Sequence, residues 1–258
     1  MAHKLFGSKF CGAIPEQAPA YPQTWTCPEA HTIIATVEGS EDQLKELLSY
    51  TPFEYETNMF QIWIADLKGH SLAPETGGYL EAAITIPVRF EDKIGGYSPW
   101  MFCTSEVAVL CGREILGYNK QMADITFIDT DTAVCATVKK NGTELIRLGF
   151  SFEDESRKVI NKEQLDRIQK MNVNRILYKT FPKCDANTAD FGQVIYRDSA
   201  RKTGTKYYGF GSAFLGGNDK YPLDFLDIIK VLGATYTISN YGGGIEAEKR
   251  TILKEYRF

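Results

Sequence analysis

The sequence predicts a mainly β chain with a few helices, an α+β fold in which the helices pack on a closed or strongly curved sheet. Runs rich in Val, Ile, Thr and aromatic residues, bounded by Gly, Pro and Asn, fill the centre of the chain. The helical patterns are short and bring their own caps. No internal repeat, low-complexity linker or charge block divides the 258 residues, so 1–258 is expected to be a single domain.

Residues 1–28 carry Pro15, Pro19, Pro22 and Pro28 with little periodicity and read as an extended N-terminal arm. "HTIIATVE" (31–38) is a strand by its β-branched content. In "SEDQLKELLSY", Ser40 and Gln43 form a capping box and Leu44, Leu47 and Leu48 share one face, which predicts a short helix ending before Pro52. Strands follow in "FQIWIADL", "GGYLEAAITIPVRF", "SPWMFCTSEVAVLCG", "DITFID", "TAVCATVKKNGTELIRLGFSF" and "RILYKTFP". Asn141-Gly142 lies between two such runs, a hairpin signal because both residues tolerate positive φ. "NKEQLDRIQKMN", capped by Asn161 with Gln164, is a second helix. "QVIYRDSARKTGTKYYGFGSAF" reads as two further strands. "PLDFLDIIKVLG" reads as a third helix, opening at Pro222 and closing at Gly233, and "ATYTISNYG" as a last strand.

A formal charge of -4 offers no basic field to nucleic acid or to an anionic membrane. No apolar run approaches the ~20 residues of a transmembrane helix. The N-terminus lacks the apolar core of a signal peptide, so a cytoplasmic location is expected. The six cysteines contain no Cys-x-x-Cys pair and the three histidines are scattered, which makes a metal centre or a Ser-His-Asp triad hard to build. "GFGSAFLGG" and "GGG" match neither a Walker loop nor a dinucleotide fingerprint. No metal and no organic cofactor is expected.

Two residues stand out. Glu81 sits among small and apolar residues in "GGYLEAAITIPV"; alternation alone leaves it free to face water or the interior. Facing inward, a desolvated carboxylate has a raised pKa and can exchange protons near neutrality. Lys120 lies in "CGREILGYNKQMADI". It is either a snorkelling surface lysine or an amine held in an apolar pocket, where burial disfavours the ammonium form and frees a nucleophile that can form an imine with a ketone.

The segment from Gly77 to Gln121 resembles the acetoacetate decarboxylase family. The resemblance rests on Gly77 to Glu81, Ile86-Pro87-Val88, Gly112-Arg113-Glu114, Tyr118 and Lys120, and it continues more weakly over roughly 30–250. It implies an acetoacetate decarboxylase-like closed, cone-shaped β-barrel with an internal apolar cavity, and usually a homo-oligomer. It implies that Lys120 forms the imine beside Glu81, that Tyr118, Trp100 and Met101 line the pocket, and that Arg113 and Glu114 support the turn that aims the lysine. Gln121 and Gln61 stand at substrate-facing places where the decarboxylases carry a second lysine and a glutamate. An arginine expected near the first strand has no counterpart, and Asn119 replaces a proline.

The expected activity is therefore that of a cofactor-free lyase acting on a small oxo acid through a lysine imine, by default decarboxylating a 3-oxo acid. The alternatives are aldol-dehydration or cyclisation of a 2-oxo acid or related ketone, or a non-catalytic barrel that binds a small molecule. Without a second lysine, any lowering of the Lys120 pKa has to come from desolvation.

Overall fold

The computed structural model describes residues 24–152, 161–182, 189–198, 203–244 and 250–257. The elements in chain order are β1 (Thr24–Gly39), α1 (Glu41–Leu48), β2 (Glu54–Tyr55), β3 (Met59–Lys68), β4 (Gly78–Phe90), β5 (Lys93–Cys103), α2 (Glu106–Leu110) and a π-helical turn (Cys111–Leu116). Then come β6 (Lys120–Met122), β7 (Asp124–Asp129), β8 (Ala133–Lys140), β9 (Thr143–Phe152), α3 (Lys162–Met171), β10 (Arg175–Pro182) and β11 (Ala189–Arg197). The chain closes with β12 (Thr203–Leu215), β13 (Gly217–Asn218), β14 (Tyr221–Pro222), β15 (Ile228–Gly244) and β16 (Arg250–Arg257).

All strands but β13 and β14 join one mixed sheet, whose main path runs β16-β11-β10-β5-β4-β3-β1-β15-β12-β9-β8-β7. The local caps set the helices. Ser40 Oγ accepts from Gln43 N at the start of α1, and Asn161 Oδ1 accepts from Gln164 N at 2.9 Å at the start of α3. The β8–β9 hairpin turns on Asn141 (φ 51°) and Gly142 (φ 80°).

The period-2 alternation of the central strands creates two different faces. Ile33, Ala35 and Val37 of β1, Phe60, Ile62 and Ile64 of β3, and Ala82, Ile84 and Ile86 of β4 are all fully buried in the main core. Each buried Ile, Val or Phe side chain contributes about 1.5–3 kcal/mol, so this face fixes the register. The same register lines up the residues in between, Thr36 with Gln61, Ile34 with Trp63 and Ala65 with Glu81, on the opposite face. That second face carries the candidate site.

The structure corrects four expectations. The segment read as a helix from Pro222 to Gly233 is a short 3-10 turn (Leu223–Phe225) followed by the start of β15. There β15 is paired residue by residue with β1, Val231 opposite Val37 and Lys230 opposite Glu38, and a helix would strand those backbone groups. The strand expected through Gly112 stops at Cys103, because Ser105 Oγ caps a helical turn by accepting from Ala108 N at 3.3 Å. The first strand begins at Thr24, so 24–28 belong to β1; the remainder of the expected arm, 1–23, lies outside the described residues. The edge strand β16, rich in Lys, Glu and Arg, was not foreseen. Among the described residues no helix is long and apolar enough to cross a membrane.

Candidate active site

The approach to Lys120 is built by α2 and the π-helical turn. The turn ends at Gly117 (φ 85°), and Tyr118 N donates to Gly112 O at 2.8 Å, which folds the chain back on itself. β6 then pairs in parallel with β5, Lys120 beside Met101. Gly112 makes room for the lysine: a Cβ there would come within 2.6 Å of Lys120 Cδ.

Lys120 Nζ donates to Glu81 Oε2, and the two residues are only 6% and 9% exposed. Glu81 thus faces inward from β4. Tyr79, two residues earlier on the same face, donates its OH to the same carboxylate oxygen at 3.2 Å. The ammonium lies 5.8 Å from the ring centres of both Tyr79 and Tyr118. These groups line a cavity of about 160 Å³, whose wall also includes Trp25, Trp63, Met101 and Cys111.

Burial is the largest single influence on the Lys120 pKa and pulls it down. The Glu81 carboxylate, by charge and by hydrogen bond, opposes it most, and the net direction is up. The resting pair is therefore ammonium and carboxylate. Desolvation, the source of any lowering expected from the sequence, thus meets the opposing pull of the Glu81 carboxylate. Burial pushes the Cys103 thiol up to about 11, so it stays neutral beside the pair.

Two arginines complete the pocket. Arg175 enters from the start of β10 and Arg197 from the end of β11, and both line the cavity. Arg197 donates to the Tyr118 hydroxyl and lies over its ring at 5.4 Å. Arg175 Nη1 donates to the Asn172 carbonyl at 2.5 Å. It passes across Gly96, where a Cβ would come within 2.5 Å of Nη1. Burial lowers the Arg175 pKa, with Tyr118 acting in the opposite sense and Arg197 adding to the lowering. The first strand holds no arginine, and the two that line the cavity come from β10 and β11. Arg175 opens the predicted strand "RILYKTFP", but no local pattern aims it at Lys120.

The other residues singled out in the sequence fall in different places. Tyr118 and Met101 line the cavity with Lys120 and Glu81. Trp100, on the opposite face of β5, packs against the main core. Gln121 pairs beside Phe102 and alternates away from the lysine. Gln61 donates to Thr36 Oγ1 at 3.4 Å and accepts from Asn172 Nδ2 at 3.0 Å, lining a neighbouring larger cavity. Arg113 and Glu114 are exposed, and no ion pair joins them; the Glu114 carbonyl accepts from Lys179 Nζ. Among the described residues no cluster of His, Cys, Asp and Glu could hold a metal ion.

Comparison with known proteins matches this frame. The family model for acetoacetate decarboxylase covers residues 13–247, and the chain belongs to that family. An acetoacetate decarboxylase of Burkholderia cenocepacia (strain HI2424) is 22% identical over 237 residues, 90% of this chain and 92% of the relative. The crystal structure of acetoacetate decarboxylase from Legionella pneumophila superposes with a TM-score of 0.76 at 19% identity, over 96% of this chain and 94% of that one. The enduracididine biosynthesis enzyme MppR, complexed with the condensation product of pyruvate and imidazole 4-carboxaldehyde, superposes with a TM-score of 0.68 at 12% identity, over 97% of this chain and 95% of that one.

Proposed function

We propose that this chain is a lyase that forms an imine between Lys120 and a small oxo acid. The observation that carries the reading is the buried Lys120–Glu81 hydrogen bond at a cavity wall. Glu81 Oε2 takes the ammonium proton, the free amine adds to the oxo carbon, and the carbinolamine loses water as Glu81 returns the proton to the departing hydroxyl. Arg175 and Arg197 hold the substrate carboxylate.

The family default is decarboxylation of a 3-oxo acid. The bond to the carboxylate carbon breaks, its electron pair enters the protonated imine to give an enamine, CO2 leaves, and the enamine carbon takes a proton before hydrolysis releases the ketone. The arginines favour a second reading, aldol-dehydration of a 2-oxo acid. Guanidinium groups stabilise a carboxylate that stays charged, and that stabilisation is lost as the carboxylate becomes neutral CO2. In this reaction the imine loses a proton to Glu81, the enamine carbon attacks an aldehyde, water leaves to give a conjugated imine, and hydrolysis of that imine releases the enone acid and frees Lys120. The complex of MppR with a pyruvate–aldehyde condensation product is in keeping with such chemistry in this fold.

Reductive trapping with borohydride in the presence of acetoacetate or pyruvate, read by mass spectrometry at Lys120, tests the imine. Product analysis separates the reactions, CO2 for one and an enone acid for the other. No adduct with either acid would overturn the proposal. The same family likeness supports a cone-like barrel formed by one domain, and the exposed Ile128 on β7 and Ile252 on β16 support a homo-oligomer built on the sheet edges. A single-chain mass by light scattering would refute the oligomer.

A further inference from the structure

A second cavity, of about 620 Å³, lies between α3 and the faces of β1, β3 and β15. It shares Trp63, Glu81 and Arg175 with the lysine pocket, so the two cavities meet at the reacting groups. The pocket at Lys120 is about 160 Å³, enough for a reacting end and little more, whereas the second lies within the ~300–1,000 Å³ range of small-molecule sites.

Away from that junction, the polar groups of the second cavity are committed, sealed or at its rim. Gln61 donates to Thr36 Oγ1 at 3.4 Å and accepts from Asn172 Nδ2 at 3.0 Å. Trp63 Nε1 donates to Thr85 Oγ1 at 2.9 Å, so its one polar atom is taken and the indole ring serves as wall. Thr32 Oγ1, Ser239 Oγ and Asn172 Oδ1 each have less than 1 Å² of accessible surface and offer nothing to a molecule in the void. Lys206 Nζ bonds Asp166 at 3.0 Å and Gln169 at 2.6 Å. Lys170, Lys206 and Asp166 are all exposed, so these charges mark the solvent-facing rim. The inner wall is largely hydrocarbon, from Ile34, Trp63, Ala65 and Leu67, with Val173 toward the rim. Ala65 and Leu67 are each 3% exposed and Val173 is 44% exposed, which gives the cavity an inner and an outer end. A polar group entering such a space gives up water without gaining a partner, whereas hydrocarbon gains by leaving water.

We propose that this cavity is the subsite for an apolar tail: the substrate is an oxo acid with a hydrocarbon chain longer than that of acetoacetate or pyruvate, its carboxylate at Arg175 and its carbonyl at Lys120. The placement of the reacting end rests on the oxo-acid reading above; the subsite for the tail does not need the imine.

The test uses two acids without a ketone, acetate and octanoate, titrated into the full chain by calorimetry. Octanoate is expected to bind at least about a hundredfold more tightly, since each methylene taken out of water is worth about fourfold. Ala65→Phe puts a ring into the inner cavity and should weaken octanoate by at least about tenfold while leaving acetate unchanged. Ile34→Asn puts an amide into the apolar wall and should weaken octanoate by about five- to tenfold. Their melting temperatures establish that the variants fold, and either one suffices for the comparison. Equal binding of the two acids, no detectable binding of octanoate at millimolar concentration, or octanoate affinity untouched by both substitutions would overturn the subsite. Trapping of pyruvate at Lys120 is read separately: a chain that forms the imine but binds the two acids alike keeps the lyase reading and loses this one.

Discussion

Gly112 lies against the stem of Lys120, and a methyl group in its place would sit 2.6 Å from Cδ and 3.0 Å from Cε. The obstructed atoms belong to a flexible side chain, so the lysine and not the backbone gives way. Gly112→Ala is expected to fold with a melting temperature close to that of the parent while reductive trapping at Lys120 slows by about a hundredfold, the scale of a misplacement of about 1 Å in a reacting group. An unchanged trapping rate would show that the lysine does not need this passage.

Glu81 determines which way the Lys120 pKa moves. With the carboxylate present the net direction is up; with Glu81→Gln only burial and weaker influences remain, and the pKa falls. The rise of imine formation with pH should therefore shift to lower pH in Glu81→Gln. Turnover should drop about 10²- to 10⁴-fold, because the proton carrier is gone. Trapping rates and steady-state rates across pH check both halves.

The same pair makes a stability prediction of opposite sign in the two proteins. In the parent the folded pKa of Lys120 is raised, so its contribution is fully present below the unfolded value of about 10.4 and is lost as pH rises through the folded pKa. In Glu81→Gln the folded pKa is depressed, so the variant recovers stability as pH rises toward the unfolded value. The gap in melting temperature between the two should narrow as pH rises toward the unfolded value of about 10.4. A constant gap would contradict the electrostatic assignment.

Arg175 and Arg197 line the lysine pocket from β10 and β11. Arg175→Met and Arg197→Met should each weaken the concentration dependence of trapping by oxo acids about ten- to a hundredfold, the value of a charged hydrogen bond. Trapping by acetone, which has no carboxylate, should be little changed. Equal loss with both substrates would make the arginines structural.

Gln121 occupies the place where a neighbouring lysine would activate the amine, which from sequence suggests that Gln121→Lys would move imine formation to lower pH. Gln121 lies beside Phe102, on the face opposite Lys120. The expected shift is therefore in that direction but smaller than that of Glu81→Gln, and the trapping profiles of the two variants compare them directly.

The sequence by itself determined the features that depend on a few adjacent residues. The caps at Ser40 and Asn161, the Asn141-Gly142 turn and the two-faced alternation of the central strands are all local chemistry. The run from Gly77 to Lys120 also marked the lysine and the glutamate, although alternation alone left Glu81 able to face either way. Only the tertiary structure decided which face was inside, since that depends on Ile33, Ile64 and Ile84 finding one core from three strands. Only pairing with β1 turned the capped-looking stretch after Pro222 into strand, because satisfying backbone groups about two hundred residues apart outweighs a weak local helix preference. The arginines illustrate the same limit. Arg175 is 55 residues from Lys120 in the sequence, and nothing local directs it there; the β10–β5 pairing opposite Gly96 brings it to the pocket, and long-range backbone pairing leaves no periodic signature around the residue it positions.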